Sequence, residues 1–407
     1  TISSEDPDAL VSWLQENGYR ITEPMIPVVR LYVEEKMFFF AMRLQPEKEV
    51  SDITPIVLEY MAKAPMIPLR LTAVAAEPEM SFVVWVLGAG RYVPENYGTI
   101  TIGDDELIYD PERGTHNYFE TVSRKVDEAG GRAFLTEYAH GTSEVIRQLE
   151  NSYVPAEQQE AFDRLIALLQ GYPYITRFYT RMSPEEMKED PRFRFESEGS
   201  DVSNRFRLNL PPDYSCEGET GQESGDGLEA ELERQCAFTY CGPTSACALT
   251  EEATGCICGD GFTARRVISP TGRLTVTCQD ASLNFMTPEE LSGEGGDFMN
   301  PCDGFSCGEH GVCLPLNGSP TCTCEEGYAA VARWLDVYEE KATIRCEKAI
   351  ARQELPGDEE HPIEEITPDS GCGCTASESG DRLAGWLLFL NLLGLFLLRT
   401  FFRHQER

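Results

Sequence analysis

The stretch CAFTYCGPTSACALTEEATGCICGDGF, residues 236 to 262, recurs in outline as CDGFSCGEHGVCLPLNGSPTCTCEEGY, residues 302 to 328. With Cys278 and Cys346 added, the intervals between successive cysteines are 4, 5, 8, 1 and 19 residues in the first segment and 4, 5, 8, 1 and 21 in the second. Agreement over five intervals marks an internal repeat. Each segment also follows its fifth cysteine with two residues, a glycine and then an aromatic, Phe262 or Tyr328. A unit of about 45 residues buries too little surface to fold unaided, so the cysteines are expected to be disulfide staples contributing about 2 to 4 kcal/mol each. Six cysteines permit fifteen pairings, and spacing alone does not choose among them. Zinc would call for C-x2-C pairs, which both segments lack.

Composition bounds the remainder. The chain carries 34 basic and 69 acidic side chains, a formal charge of −35, which repels polyanions; no nucleic-acid partner is expected. Fifteen cysteines suit an oxidising, extracytoplasmic compartment. The 407 residues divide into an α+β head (1–212), an acidic linker (213–234), a first cysteine module (235–279), a second linker (280–300), a second module (301–347), an acidic stalk (348–371) and a tail (372–407). Linker and stalk are assigned on glycine, proline and unopposed carboxylates, which disfavour a packed core.

The tail contains sixteen residues, Leu383 to Leu398, in which only Asn391 is polar, and the apolar run extends to 402 if Arg399 snorkels. A transmembrane helix over 383–402 is therefore expected. Arg399, Arg403 and Arg407 on its C-terminal side place that end in the cytoplasm and residues 1 to about 380 outside. Export also requires a signal segment, so further sequence is expected before Thr1.

In the head, Asp6 as N-cap, Pro7, the apolar positions Leu10, Val11 and Leu14, and Gly18 as the stop predict a first helix. VVRLYVEE (28–35) and MFFFAMRL (37–44) predict a hairpin turning at Glu35 and Lys36, with Phe38, Phe39 and Phe40 in a strand buried on both faces. PLRLTAVA (68–75) and MSFVVWVL (80–87) predict further strands. Thr142 is expected to cap TSEVIRQLE, AEQQEAFDRLIALLQ repeats apolar residues at helical spacing before Gly171, and Ser183 with Glu186 predicts a capping box.

Three resemblances follow from these motifs. The cysteine segments resemble epidermal-growth-factor-like (EGF-like) modules, which implies the pairs Cys236–Cys247, Cys241–Cys256 and Cys258–Cys278, then Cys302–Cys313, Cys307–Cys322 and Cys324–Cys346. Pro315 stands where the family's calcium-binding members carry a ligand. The residues DALVSWLQENGY (8–19), YVEEKMFFFAMRL (32–44), PLRLTAVA (68–75) and TRMSPEEMKEDPRF (180–193) resemble the bacterial domain of unknown function 2330, which brings no catalytic residue. Gly371, Cys372, Gly373 and Cys374 before an apolar helix and arginines are similar to the sorting signal of myxobacterial surface proteins. That similarity implies processing or lipidation at Cys372 or Cys374. Cys216 then remains outside the modules, and its partner is expected upstream of Thr1.

A catalytic constellation is not evident. Of five histidines, His310, His361 and His404 fall in a module, the stalk and the tail, leaving His116 and His140 in the head. No G-x-S-x-G elbow, H-E-x-x-H helix or phosphate loop accompanies them. Glu185 and Glu186 are expected to complement a helix dipole. The expectation is a non-enzymatic surface protein without cofactor or metal, which binds a surface protein or polysaccharide; the competing class is an extracellular hydrolase with its site in the head.

Overall fold

A computed structural model describes residues 3–19, 21–23, 25–41, 58–59, 61–111, 113–211, 227–270, 272–283, 300–336 and 341–355. The expected membrane segment 383–402, most of the stalk, Cys216, Cys372 and Cys374 lie outside them. Among the described residues no helix is long and apolar enough to cross a membrane.

The head opens with α1 (Pro7–Glu16), whose N-cap Asp6 accepts the N–H groups of Asp8 and Ala9. Leu10, Val11 and Leu14 are buried, and Gly18 stops the helix at φ +77, a conformation glycine adopts without steric cost. The expected hairpin after it is instead α2 (Met25–Glu34). Val29 and Val33 pack on Leu10, Val11 and Leu14, so tertiary burial of an i, i+4 stripe overrides the β propensity of VVRLYVEE. Lys36, at φ +58, supplies the left-handed helix stop, with Lys36 N bonded to Val33 O and Met37 N to Tyr32 O. Phe38 and Phe40 are exposed while Phe39 stacks edge-on against Tyr32, which overturns the doubly buried strand. PLRLTAVA is likewise helical, as α3 (Leu69–Thr72) and a following 3-10 turn over Ala73–Ala75.

After α3 come β1 (Met80–Gly88), β2 (Tyr92–Pro94), β3 (Gly98–Ile100), β4 (Tyr109–Asp110), β5 (Thr115–His116), α4 (Tyr118–Glu128), β6 (Ala133–Gly141), α5 (Thr142–Glu150), α6 (Gln159–Gln170), β7 (Tyr174–Met182) and β8 (Phe193–Phe195). The main sheet runs β1-β7-β6-β3, antiparallel except for the parallel pair β3 and β6. Phe134, Phe178 and Phe193 stack in its core with Val122 and Val126 of α4; Val145 and Leu169 of α5 and α6 pack with Tyr138, Ile175, Trp85 and Leu87. Thr142 is the first residue of α5 rather than its cap; Gly141 caps, and the Thr142 hydroxyl donates to Tyr172 O.

The disulfide-rich region begins with α7 (Leu228–Cys236), so the last residues of the expected linker are helical. It continues with β9 (Ser245–Leu249), β10 (Thr254–Cys258), β11 (Phe262–Ile268), β12 (Leu274–Asp280), β13 (Gly311–Leu316), β14 (Ser319–Cys324), β15 (Tyr328–Asp336), β16 (Lys341–Lys348) and β17 (Ala351–Arg352). The six disulfides are Cys236–Cys247, Cys241–Cys256, Cys258–Cys278, Cys302–Cys313, Cys307–Cys322 and Cys324–Cys346, each within one half of the repeat.

Backbone pairing crosses between the halves. One sheet runs β16-β15-β10-β9-β17 and the other β12-β11-β14-β13, so each half's first hairpin pairs with the other half's second hairpin. Cys256 opposes Ala330 in one sheet and Ala264 opposes Cys322 in the other. These are equivalent positions of the repeat, which makes the exchange reciprocal and gives it a pseudo-two-fold character. Alanine is the residue that lets a strand approach a disulfide this closely; Ala264, Ala330 and the buried cysteines form one shared core. β17 pairs with β9, so residues 348–352 belong to this body and not to the stalk.

Candidate functional site

Both head histidines accept a local backbone N–H. His116 Nδ1 accepts the Tyr118 N–H at 3.4 Å, and burial among aromatic rings holds its imidazole below the usual value. His140 Nδ1 accepts the Gly141 N–H at 2.9 Å, its Nε2 stands 3.3 Å from Asp201, and Asp201 accepts the Tyr174 hydroxyl at 2.6 Å. Among the described residues neither imidazole is hydrogen-bonded to a serine, threonine or cysteine side chain, the first requirement for an activated nucleophile. His310 stacks on Tyr328 with ring centroids 3.9 Å apart and contacts Glu325, a local brace for the second half.

The unusual chemistry lies where the head meets the disulfide-rich region. Arg265 pairs with Glu77 at 2.5 Å, Arg113 donates to Gln235 at 2.7 Å, and the Tyr240 hydroxyl donates to Asp127. Near Asp127 the head gathers Glu79, Glu185 and Glu186, and Glu120 lines the adjoining cavity. Glu79, only 6% exposed, sits at φ +57, a left-handed conformation that costs a non-glycine residue about 1 to 2 kcal/mol. Its N–H donates to Ser183 Oγ at 3.1 Å, the Ser183 hydroxyl reaches Glu79 Oε1 at 3.3 Å, and Arg181 donates to the Glu79 carbonyl at 3.0 and 3.2 Å.

The capping box forms, with Ser183 N–H donating to Glu186 at 2.8 Å, but it closes only a single 3-10 turn, Pro184–Glu186. The dipole account of Glu185 and Glu186 fails. Proximity to a helix N-terminus would favour their charged forms and lower their proton affinities, whereas burial pushes Glu185 up to about 7 and Glu186 far higher. Glu186 is further held up by a hydrogen bond and repulsion from Asp127. Burial also raises Glu79 and Glu120. Two residues of the cluster could be noticed in sequence, the Glu185-Glu186 pair; Glu79, Glu120, Asp127 and Tyr240 carry no local signal.

Two spaces adjoin this cluster. A partly enclosed cavity of about 20 Å³, room for one water, is lined by Glu79, Glu120, Arg181, Phe238, Tyr240 and Arg273 among others. Beside it opens a cleft of about 300 Å³, walled by Arg124, Asp127 and Glu128 from the head and by Tyr240, Ser245 and Gln353 from the disulfide-rich region. Among the described residues no group of three or more histidine, cysteine or acidic side chains is arranged to hold a metal ion.

A comparison with curated proteins and one with solved structures each found no match. Residues 1–194, the greater part of the head, match a family described as "Uncharacterized protein conserved in bacteria (DUF2330)".

Proposed function

We propose that this chain is a non-enzymatic cell-surface binding protein, carrying two EGF-like modules behind its head and held at the envelope by a sorting tail with Cys372, Cys374 and the apolar run 383–402. The supporting observation is the cleft shared by head and disulfide-rich region, which carries polar side chains on both walls and is large enough for a small ligand group. Arg124 and Glu128 from one side and Gln353 from the other offer donors and acceptors suited to a surface polysaccharide or a polar protein loop. Six disulfides favour an oxidising environment, in keeping with an extracytoplasmic location.

The test is a binding screen of the full chain in detergent against surface polysaccharides and envelope proteins, with Arg124→Ala and Gln353→Ala alongside. Binding weakened at least tenfold by either substitution, with no substrate turnover, is the expected result. Turnover abolished by His116→Ala or His140→Ala would instead establish the hydrolase reading. Mass mapping of protein from its native cell checks the tail: a mature C-terminus near Cys372 to Cys374 is expected, whereas an intact Arg407 with both thiols free would remove the sorting assignment.

A further inference from the structure

The chain leaves the disulfide-rich region along one wall of the cleft. After Cys346, bonded to Cys324, β16 ends at Lys348 and the following residues run antiparallel to β9 as β17. The Ala349 N–H donates to Gly327 O at 3.0 Å, the Ile350 N–H to Leu249 O at 2.8 Å and the Gln353 N–H to Cys247 O at 2.9 Å, while Ala351 and Arg352 stand opposite Leu249 and Ala248. The Ala349 bond belongs to the repeat, since Ala281 N–H makes its counterpart to Gly261 O at 2.9 Å in the first half. Gln353 then lines the cleft with Ser245 and Cys247, and the head supplies Arg124, Asp127 and Glu128 to the same space.

This segment is held differently from the strand before it. Ala342, Ile344 and Cys346 of β16 are buried, and Ile344 and Cys346 lie in the core shared by the two halves. From Glu347 to Leu355 no side chain is buried, and even Ile350 is 46% exposed. Backbone hydrogen bonds at a sheet edge therefore carry the attachment, and water can replace each of them. Opening such a segment uncovers little apolar surface, which puts it at the low end of local stability.

We propose that Ile350 to Gln353 form a releasable strap on the cleft: seated on β9, it supplies Gln353 as part of the wall; peeled away, it removes that wall while the rest of the disulfide-rich region stays folded. Peeling runs from Gln353 toward Ala349 and stops at β16, which Ile344 and the Cys324–Cys346 bond hold in the core. The chain continues from the strap into the acidic run 356–371, so a pull from that side loads the strap before β16. Release of ligand on such a pull rests on the binding reading; the strap itself does not.

Peptide-resolved hydrogen exchange of the full chain in detergent at pH 7 tests it. Residues 349–355 should be protected, yet exchange at least a hundredfold faster than residues 341–346. Ala351→Pro, which removes a backbone N–H from the two-residue strand, should bring 349–355 to the rate of an unstructured peptide and leave 341–346 unchanged. Ala351→Val, better suited to an extended strand, should slow exchange of 349–355 several-fold. Equal rates for the two stretches in the parent, no protection of 349–355 in the parent, or loss of protection at 341–346 in Ala351→Pro would overturn the strap. On a surface-polysaccharide resin, Ala351→Pro should weaken retention at least tenfold, as Gln353→Ala does; weakening by Gln353→Ala alone would overturn the coupling of strap to cleft. Absence of retention in the parent counts against the binding reading and not against the strap, which exchange decides.

Discussion

Gly255→Ala probes the strand exchange directly. Gly255 precedes Cys256, where β10 crosses to Ala330 of the other half. A Cβ there would stand 2.7 Å from the Ala330 carbonyl oxygen, 2.8 Å from Val331 Cγ2 and 3.2 Å from Ala329 Cβ. The Val331 methyl can turn, but the Ala330 carbonyl belongs to β15 and moves only with the ladder between β15 and β16. Overpacking of this kind costs about 1 to 3 kcal/mol, and stretching the β10–β15 hydrogen bonds adds about 1 kcal/mol. Reduced freedom of the unfolded chain returns about 0.4 to 1 kcal/mol. The net loss is about 2 kcal/mol, which lowers Tm by roughly 6 to 10 °C for a region of this size. Calorimetry under non-reducing conditions measures it, with disulfide mapping to show that all six bonds persist. An unchanged Tm would refute the close approach of β10 to β15, and with it the reciprocal pairing.

Asp190→Ala should cost about 3 kcal/mol or more by chemical denaturation, because this buried carboxylate accepts Tyr32 Oη at 2.9 Å and three donors of Arg70, clamping α2 to the head. Removing the more exposed partner of Arg70 with Glu35→Ala should cost less than about 1 kcal/mol, and equal losses would contradict this division. Glu185→Gln should stabilise the protein by up to about 3 kcal/mol above pH 7 and by nothing near pH 4, since the native carboxyl is raised from 4.5 to about 7 and destabilises the fold only once pH exceeds its unfolded value. Stability measurements at the two pH values check the sign. With a formal charge of −35, nuclease-treated protein should retain no DNA at about 0.15 M salt, as read by gel shift.

The extent to which the chain declared itself follows the range of the interactions involved. Asp6, Pro7 and Gly18 bounded α1 because capping is settled within one turn of chain. The intervals between cysteines marked a repeat whose disulfides stay local, and MSFVVWVL became β1 as its β-rich composition suggested. VVRLYVEE misled because β-branched residues suit either a strand or a buried helical stripe; contact with Leu10 and Leu14 decided for the helix. The candidate site was almost illegible. Glu79, Asp127, Glu186 and Tyr240 are ordinary residues in their own neighbourhoods, and their chemistry arises only when folding strips water from all of them together. The same is true of the two cysteine halves. Their spacing describes two units, but the pairing of Cys256 with Ala330 and of Cys322 with Ala264 depends on strand edges meeting across the repeat, which no interval between neighbouring cysteines encodes. Local bonds were written in the sequence; desolvation and long-range strand pairing were decided by the tertiary structure.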